Sequence, residues 1–504
     1  MQAHCEMNKM SEKIANAAKW STITEIVSKI VPPITNMILA RIIAPEDFGI
    51  MATITLIMSF AEVFVESGFQ KFLIQHEFVS DKQEHDYMSV AFWSNLVFSI
   101  IIWLFIVVFN TPIASLAGNP GKGHLISITG ITIPLFGVIG IQNCKIRKNL
   151  DFKKLFYVRF VSSLLPLFIT VPLAFCGLGY WALIIGNISG VLVRSITLYI
   201  VGKFVPRIFF SKKYLVNMLR FGVWTLLDGV AVWATAWIDS LLIANYMSNY
   251  YLGLYKNSCS TINSLFSIIT ASMVPVLFAA LSRLQSDDKQ FNNTFLSTQR
   301  VLSIVLLPMG IGIYFYRNLV TDILFGADWE EATNIVGVMS LSTVIRTLFV
   351  SIYSEVYRAK GKFHIPLLTQ ILDLIFLIPA CVISVRYGFW ALVYTRALIK
   401  LDLIIPEFIL IYKICGIAPM TTLKNISHTV VATFIMSLLI LLLKNISNSI
   451  GWSLISIAFC VIIYFGVLCL YSYERTYILN FIEIFSRKLH KPNNNSNLQR
   501  SDDK

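Results

Sequence analysis

At 504 residues, 56% of them hydrophobic and only 14% charged, the chain carries more apolar surface than a water-soluble fold of this size can bury, and a bilayer is the solvent that accepts it. The formal net charge of +13 would suit nucleic acid, but Lys and Arg gather in alternate short connections, the pattern of a multi-pass membrane protein, so no nucleic-acid partner is expected. The eight cysteines and seven histidines are scattered without a CxxC pair or ligand-like spacing, which supports neither a disulfide framework nor a zinc site.

In chain order, residues 1–19 form a polar cytoplasmic N-terminal segment, within which Met7 or Met10 offers an alternative start. The apolar run from Trp20 to Ile43 is too long for a signal-peptide core and lacks a small-residue cleavage site, so it reads as a retained first span. Further spans are predicted at 47–68, 87–109, 125–142, 155–176 and 179–201, completing an N-lobe over 20–203. A second six, at 218–247, 251–281, 297–317, 332–357, 364–385 and 388–411, make a C-lobe over 214–412. Two more, at 426–444 and 451–472, occupy 424–473 and precede a cytoplasmic tail, 474–504. The predicted fold is an all-α polytopic membrane protein with about 14 transmembrane helices. Lys145, Arg147, Lys148, Lys153 and Lys154 share the connection between spans 4 and 5, and Lys203, Arg207, Lys212 and Lys213 the one between spans 6 and 7. This places both termini in the cytoplasm.

The two lobes are copies of one unit. Ala40 to Gly49 can be laid over Ala244 to Gly253, a shift of 204 residues, and each stretch ends one apolar run and starts the next. In the first, Pro45 with Glu46 and Asp47 suits a helix start; in the second, Ser248 or Asn249 can cap the free amides. Gly179-Tyr180-Trp181-Ala182-Leu183 matches Gly388-Phe389-Trp390-Ala391-Leu392, and Arg147–Phe152 matches Arg358–Phe363. Six spans return the chain to its starting side, so the halves share orientation and are related by a pseudo-twofold along the membrane normal.

Leu39-Ala40-Arg41 with Pro45-Glu46-Asp47-Phe48-Gly49, then Glu66-Ser67-Gly68-Phe69, resembles the Wzx-type polysaccharide/O-antigen flippases of the multidrug/oligosaccharidyl-lipid/polysaccharide exporter superfamily. Leu252-Gly253-Leu254-Tyr255 and Ala280-Leu281-Ser282-Arg283-Leu284-Gln285 resemble that family's second half. The resemblance implies a non-enzymatic flippase in the bacterial inner membrane, with no cofactor. It would move a polyprenyl-diphosphate-linked oligosaccharide outward by alternating access, with glycosyltransferases and a glycan polymerase as neighbours. It also implies sodium or proton coupling through carboxylates. An ion-coupled drug/cation antiporter of the same superfamily and a membrane glycan polymerase are the alternatives.

A sugar diphosphate needs a wet, partly cationic passage, and ionisable residues inside spans are costly unless they face one or meet a partner. Lys29, Arg194, Arg346, Arg396 and Lys400 are therefore the expected substrate-binding cations. Glu25, Glu66, Asp228, Asp239 and Asp373 are the ion-coupling candidates. Glu25 and Lys29 share a helix face and could instead neutralise each other, as Asp373 could be neutralised by Arg396 or Lys400. Pro32-Pro33 is expected to bend the first helix into a gate.

Overall fold

A computed structural model of the chain describes residues 20–475, apart from positions 22, 26, 67, 150, 363, 448 and 473. The expected N-terminal segment, nearly all of the tail, and Phe363 of one repeat thus lie outside the described residues. Among those described, every regular element is a helix, and twelve helices are long and apolar enough to cross a membrane.

The first lobe contains α1 (20–39), α2 (Pro45–Glu66), α3 (Asp81–Val108), α4 (Gly123–Lys148), α5 (Phe152–Phe175) and α6 (Tyr180–Gly202). The second contains α7 (Lys212–Tyr246), α8 (Asn249–Arg283), α9 (Asp288–Phe315), α10 (Ala332–Ala359) and α11 (His364–Ser384). Its sixth span is divided into α12 (Phe389–Ile399) and α13 (Ile404–Cys415), joined by a short turn. The C-terminal pair, α14 (Pro419–Lys444) and α15 (Ile450–Cys469), packs on α9 through Ile304, Met436, Ile440 and Tyr464. Helix α1 stays helical through Pro32 and Pro33.

The repeated stretches have repeated geometry. Pro45 opens α2 with Glu46 and Asp47 in the first turn, where a missing N–H costs nothing and acids meet the positive end of the helix dipole. Its counterpart, α8, begins after extended Ser248, but no side chain caps it. The Asn249 amide is instead spent on Asn119, 2.6 Å away in the first lobe. Gly179 and Gly388 precede α6 and α12 with φ of 50° and 100°, the left-handed region that a side chain resists.

The lobes meet where the two copies of the repeated turn touch. A Cβ on Gly49 would overlap the Asn249 carbonyl oxygen, and one on Gly253 would overlap the Pro45 carbonyl oxygen. Positions 45 and 249 are themselves equivalents in the duplication, so the contact is reciprocal, as a twofold requires. Around this pair further hydrogen bonds close the seam, among them one from the Arg41 guanidinium to the Ile323 carbonyl at 3.0 Å. The Asn36 amide donates to Asn257 Oδ1 at 3.4 Å, Asn245 to the Leu116 carbonyl at 2.9 Å, and Trp329 Nε1 to the Ala40 carbonyl at 2.8 Å. Trp329 is fully buried against Phe48. Its replacement by Phe keeps the ring but strands that carbonyl, and should cost about 1–3 kcal/mol, read as a lowered unfolding midpoint in detergent.

Away from the seam, α1 stays with its own lobe: Trp20 packs on Phe156, and Arg159 of α5 pairs with Glu25. The far half of α8 joins the second lobe's core through Leu277 and Leu281. A space between the lobes is left beside α1 and α8.

Candidate functional site

That space is a series of connected hollows lined by intramembrane charge. Lys29 of α1, Lys256 of α8, Arg396 of α12 and Lys400 at the α12 C-terminus line a hollow of ≈ 340 Å³ with Asp239 and Tyr255. Four cations face one acid, so the hollow has a positive excess. Lys400 lies where the helix dipole favours a cation, and its Nζ donates to Thr343 Oγ1 at 2.9 Å.

Arg396 is held by a buried lattice of bonds. Its Nε donates to Asp239 Oδ2 at 2.8 Å and one terminal nitrogen to the Thr235 carbonyl at 2.9 Å. The Tyr255 hydroxyl donates to the same carboxylate oxygen at 2.7 Å, while the Ser240 amide reaches Oδ1 at 2.6 Å. Asp239 is therefore satisfied from three helices, whereas buried Nη1 of Arg396 has no partner among the described residues. A buried cationic donor without an acceptor is costly unless an anion meets it.

Lys256 lies at the edge of this hollow. Its Nζ donates to the Ala236 carbonyl at 3.0 Å and sits 3.3 Å from the centre of the Trp237 ring. Cation–π contact and a carbonyl fix the ammonium where it faces the space on two sides.

Through Asn263, Ser267, Arg396 and Lys400 the charged hollow opens into one of ≈ 390 Å³ that reaches Arg346 and Gln370. Arg346 in turn borders a hollow of ≈ 420 Å³ containing Asp228, Glu355, Arg358 and Glu407. The Arg346 guanidinium grips fully buried Asp373 with both terminal nitrogens, at 3.0 and 3.4 Å. The Tyr357 hydroxyl donates to buried Glu407.

The structure thus brings Lys29, Arg346, Arg396 and Lys400 along one path, with Asp228 and Asp239 beside them. Arg194 sits half-buried on α6 and does not line these hollows. Glu66 ends α2, but its side chain lies outside the description. The ion pairs differ from the alternatives the sequence offered. Glu25 is joined to Arg159 and not to Lys29, and Asp373 to Arg346 and not to Arg396 or Lys400, because helix adjacency decides which charges meet. Of the described carboxylates proposed for coupling, Asp228 alone forms no salt bridge. Lys256 escaped the sequence reading, although the rule that selected Lys29, an ammonium inside a predicted span, would have found it.

A family model described as polysaccharide biosynthesis protein matches residues 38–334, more than half the chain. Among curated proteins, the succinoglycan biosynthesis transport protein ExoT of Rhizobium meliloti (strain 1021) is 25% identical over 65% of this chain and 66% of its own length, just under two thirds. The lipopolysaccharide biosynthesis protein WzxC of Escherichia coli (strain K12) is 22% identical over 74% of this chain and 76% of its own. Among solved structures, the lipid II flippase MurJ in an inward closed conformation superposes with a TM-score of 0.75 at 15% identity, covering 90% of this chain and 99% of that one. An inward-facing multidrug MATE transporter gives a TM-score of 0.62 at 13% identity, over 78% and 98%. At such identities the likeness is one of fold.

Proposed function

This chain belongs to the polysaccharide biosynthesis protein family, and we propose that it is a flippase carrying a polyprenyl-diphosphate-linked oligosaccharide from the inner to the outer leaflet of the bacterial inner membrane. The observation that supports this most directly is the hollow lined by Lys29, Lys256, Arg396 and Lys400, where one guanidinium nitrogen of Arg396 has no acceptor among the described residues. A diphosphate supplies clustered anionic oxygens, and charge-assisted hydrogen bonds are the strong ones in such a place. The sugars follow into a polar passage while the hydrocarbon tail stays in lipid, since a polar headgroup in hydrocarbon costs several kcal/mol per unsatisfied group.

With both termini cytoplasmic, the Gly49–Gly253 seam lies on the outer side, and the space beside α1 and α8 faces inward. Transport then alternates this arrangement with one in which the seam parts. Moving the diphosphate out of a negative interior releases about 2.3 kcal/mol per charge per 100 mV. If sodium or protons also drive the cycle, Asp228 is the carboxylate to carry them.

The test is a variant with Lys29→Gln, Lys256→Gln and Lys400→Gln, none of which strands a salt-bridged acid. Reconstituted in vesicles, it should flip undecaprenyl-diphosphate oligosaccharide more slowly by on the order of 100-fold or more, at an unchanged unfolding midpoint. Wild-type rates would remove the cations from the mechanism. Drug sensitivity without a glycan defect in a deletion strain would favour an antiporter instead.

A further inference from the structure

A second hollow, of ≈ 460 Å³, adjoins the cationic one and differs from it in kind. It lies among α1, α2, α5, α6, α7 and α8, and shares Lys256 and Ser260 with the charged hollow. Among the described residues Lys256 is its one charged group, at the shared edge, and no carboxylate lines it. Its walls combine the Trp237 indole and aliphatic surface with neutral hydrogen-bonding groups, notably Asn36, Asn187, Asn257, Thr35 and Ser163. Its volume falls in the roughly 300–1,000 Å³ range of small-ligand sites, where apolar walls and a few placed polar groups are usual.

Asn257 gives this hollow its direction. The residue is 7% exposed, its Oδ1 accepts from Asn36, and its buried Nδ2 has no hydrogen-bond partner among the described residues. A buried amide donor left unmatched costs free energy that an incoming hydroxyl or carbonyl oxygen would return. A neutral ligand with many hydroxyls and apolar C–H faces matches side-chain amides beside an indole; a diphosphate would meet only the donors and a hydrocarbon tail only the apolar walls.

We propose that this hollow is a sugar-recognition subsite for the carrier-proximal saccharide, with Asn187 and Asn257 as specificity-determining residues. The inference rests on the flippase reading, because Lys256 would then mark the junction between diphosphate and first sugar. The cationic hollow reads what all such carriers have in common. The neutral one reads which sugar is attached.

The experiment measures binding of purified full-length protein to undecaprenyl diphosphate and to the same carrier bearing glucose, galactose or N-acetylglucosamine. The wild type should bind at least one sugar-bearing carrier about tenfold more tightly than the bare one, as two added hydrogen bonds would give. Asn187→Leu and Asn257→Leu should each remove most of that advantage while holding affinity for the bare diphosphate within about twofold. Asn187 is the safer position, since Asn257 also serves the seam. Equal wild-type binding of bare and sugar-bearing carriers would overturn the subsite. So would variants that keep the advantage, or that weaken all carriers alike. If the wild type binds none of the carriers, bare diphosphate included, the flippase reading itself fails and takes the subsite with it.

Discussion

Replacing Gly253 by leucine is expected to lower transport by at least about tenfold and to destabilise the protein by about 1–3 kcal/mol, because overpacking forces backbone apart where no side chain can yield. At this position a Cβ would overlap the Pro45 carbonyl oxygen and come within 2.9 Å of the Gly49 amide nitrogen. Both neighbours are main chain, so α2 and α8 must separate. Separation also strains the bonds that close the seam nearby, Asn119 with Asn249 and Asn36 with Asn257. A cysteine placed at Asn36 should then react with an impermeant thiol reagent that is excluded from the same cysteine in an otherwise wild-type background. Gly312→Leu is the control, since a Cβ there meets nothing within 4 Å. If Gly253→Leu transports normally and Asn36 stays protected, the seam is not sealed by backbone contact.

Arg396→Met should be the most destabilising single change at the candidate site, by about 3–5 kcal/mol, since it leaves the buried Asp239 carboxylate without its cation. The pair is formed at 2.8 Å with side chains 9% and 5% exposed, and joins α12 to α7. Adding Asp239→Asn should recover most of the loss, because removing both charges spares the desolvation that breaking one exposes. Transport should not return with stability, as the guanidinium that lines the cationic hollow is gone in both variants. Thermal unfolding and flipping assays on the single and double variants separate the two roles. A double variant as unstable as Arg396→Met would show that packing of the guanidinium, not its charge, holds the helices.

Much of the architecture could be read from the chain because lipid leaves so few choices. Backbone polar groups must be satisfied within each segment, so long apolar runs could only be helices. The duplication was visible because the same turn has to be built twice, and the glycines that made it recognisable are those the backbone needs: Gly49 and Gly253 where helices touch, Gly179 and Gly388 where φ is positive. The uncapped start of α8 could not be foreseen, since Asn249 looks like a local cap until Asn119 is brought across from the other lobe. The charges were harder for the same reason. Period and hydropathy place Asp373 inside a span, but only the packing of α10 beside α11 gives it Arg346. Lys256 is the sixth residue of the predicted span 251–281, and hydropathy says nothing of what an ammonium there would meet. In the structure it is fixed over Trp237.

The reciprocal contact of 49 with 249 and 253 with 45 has a consequence for the origin of the molecule. A surface that complements itself through a twofold is one that a protein of half this length could present to another copy of itself. The chain can be seen as such a homodimer made permanent by fusion. Once fused, each half was free to specialise: one took the buried arginine–aspartate pairs, Arg346 with Asp373 and Arg396 with Asp239, which the described residues of the other do not repeat. Sameness of shape was kept where the halves touch, and difference of chemistry arose where they part.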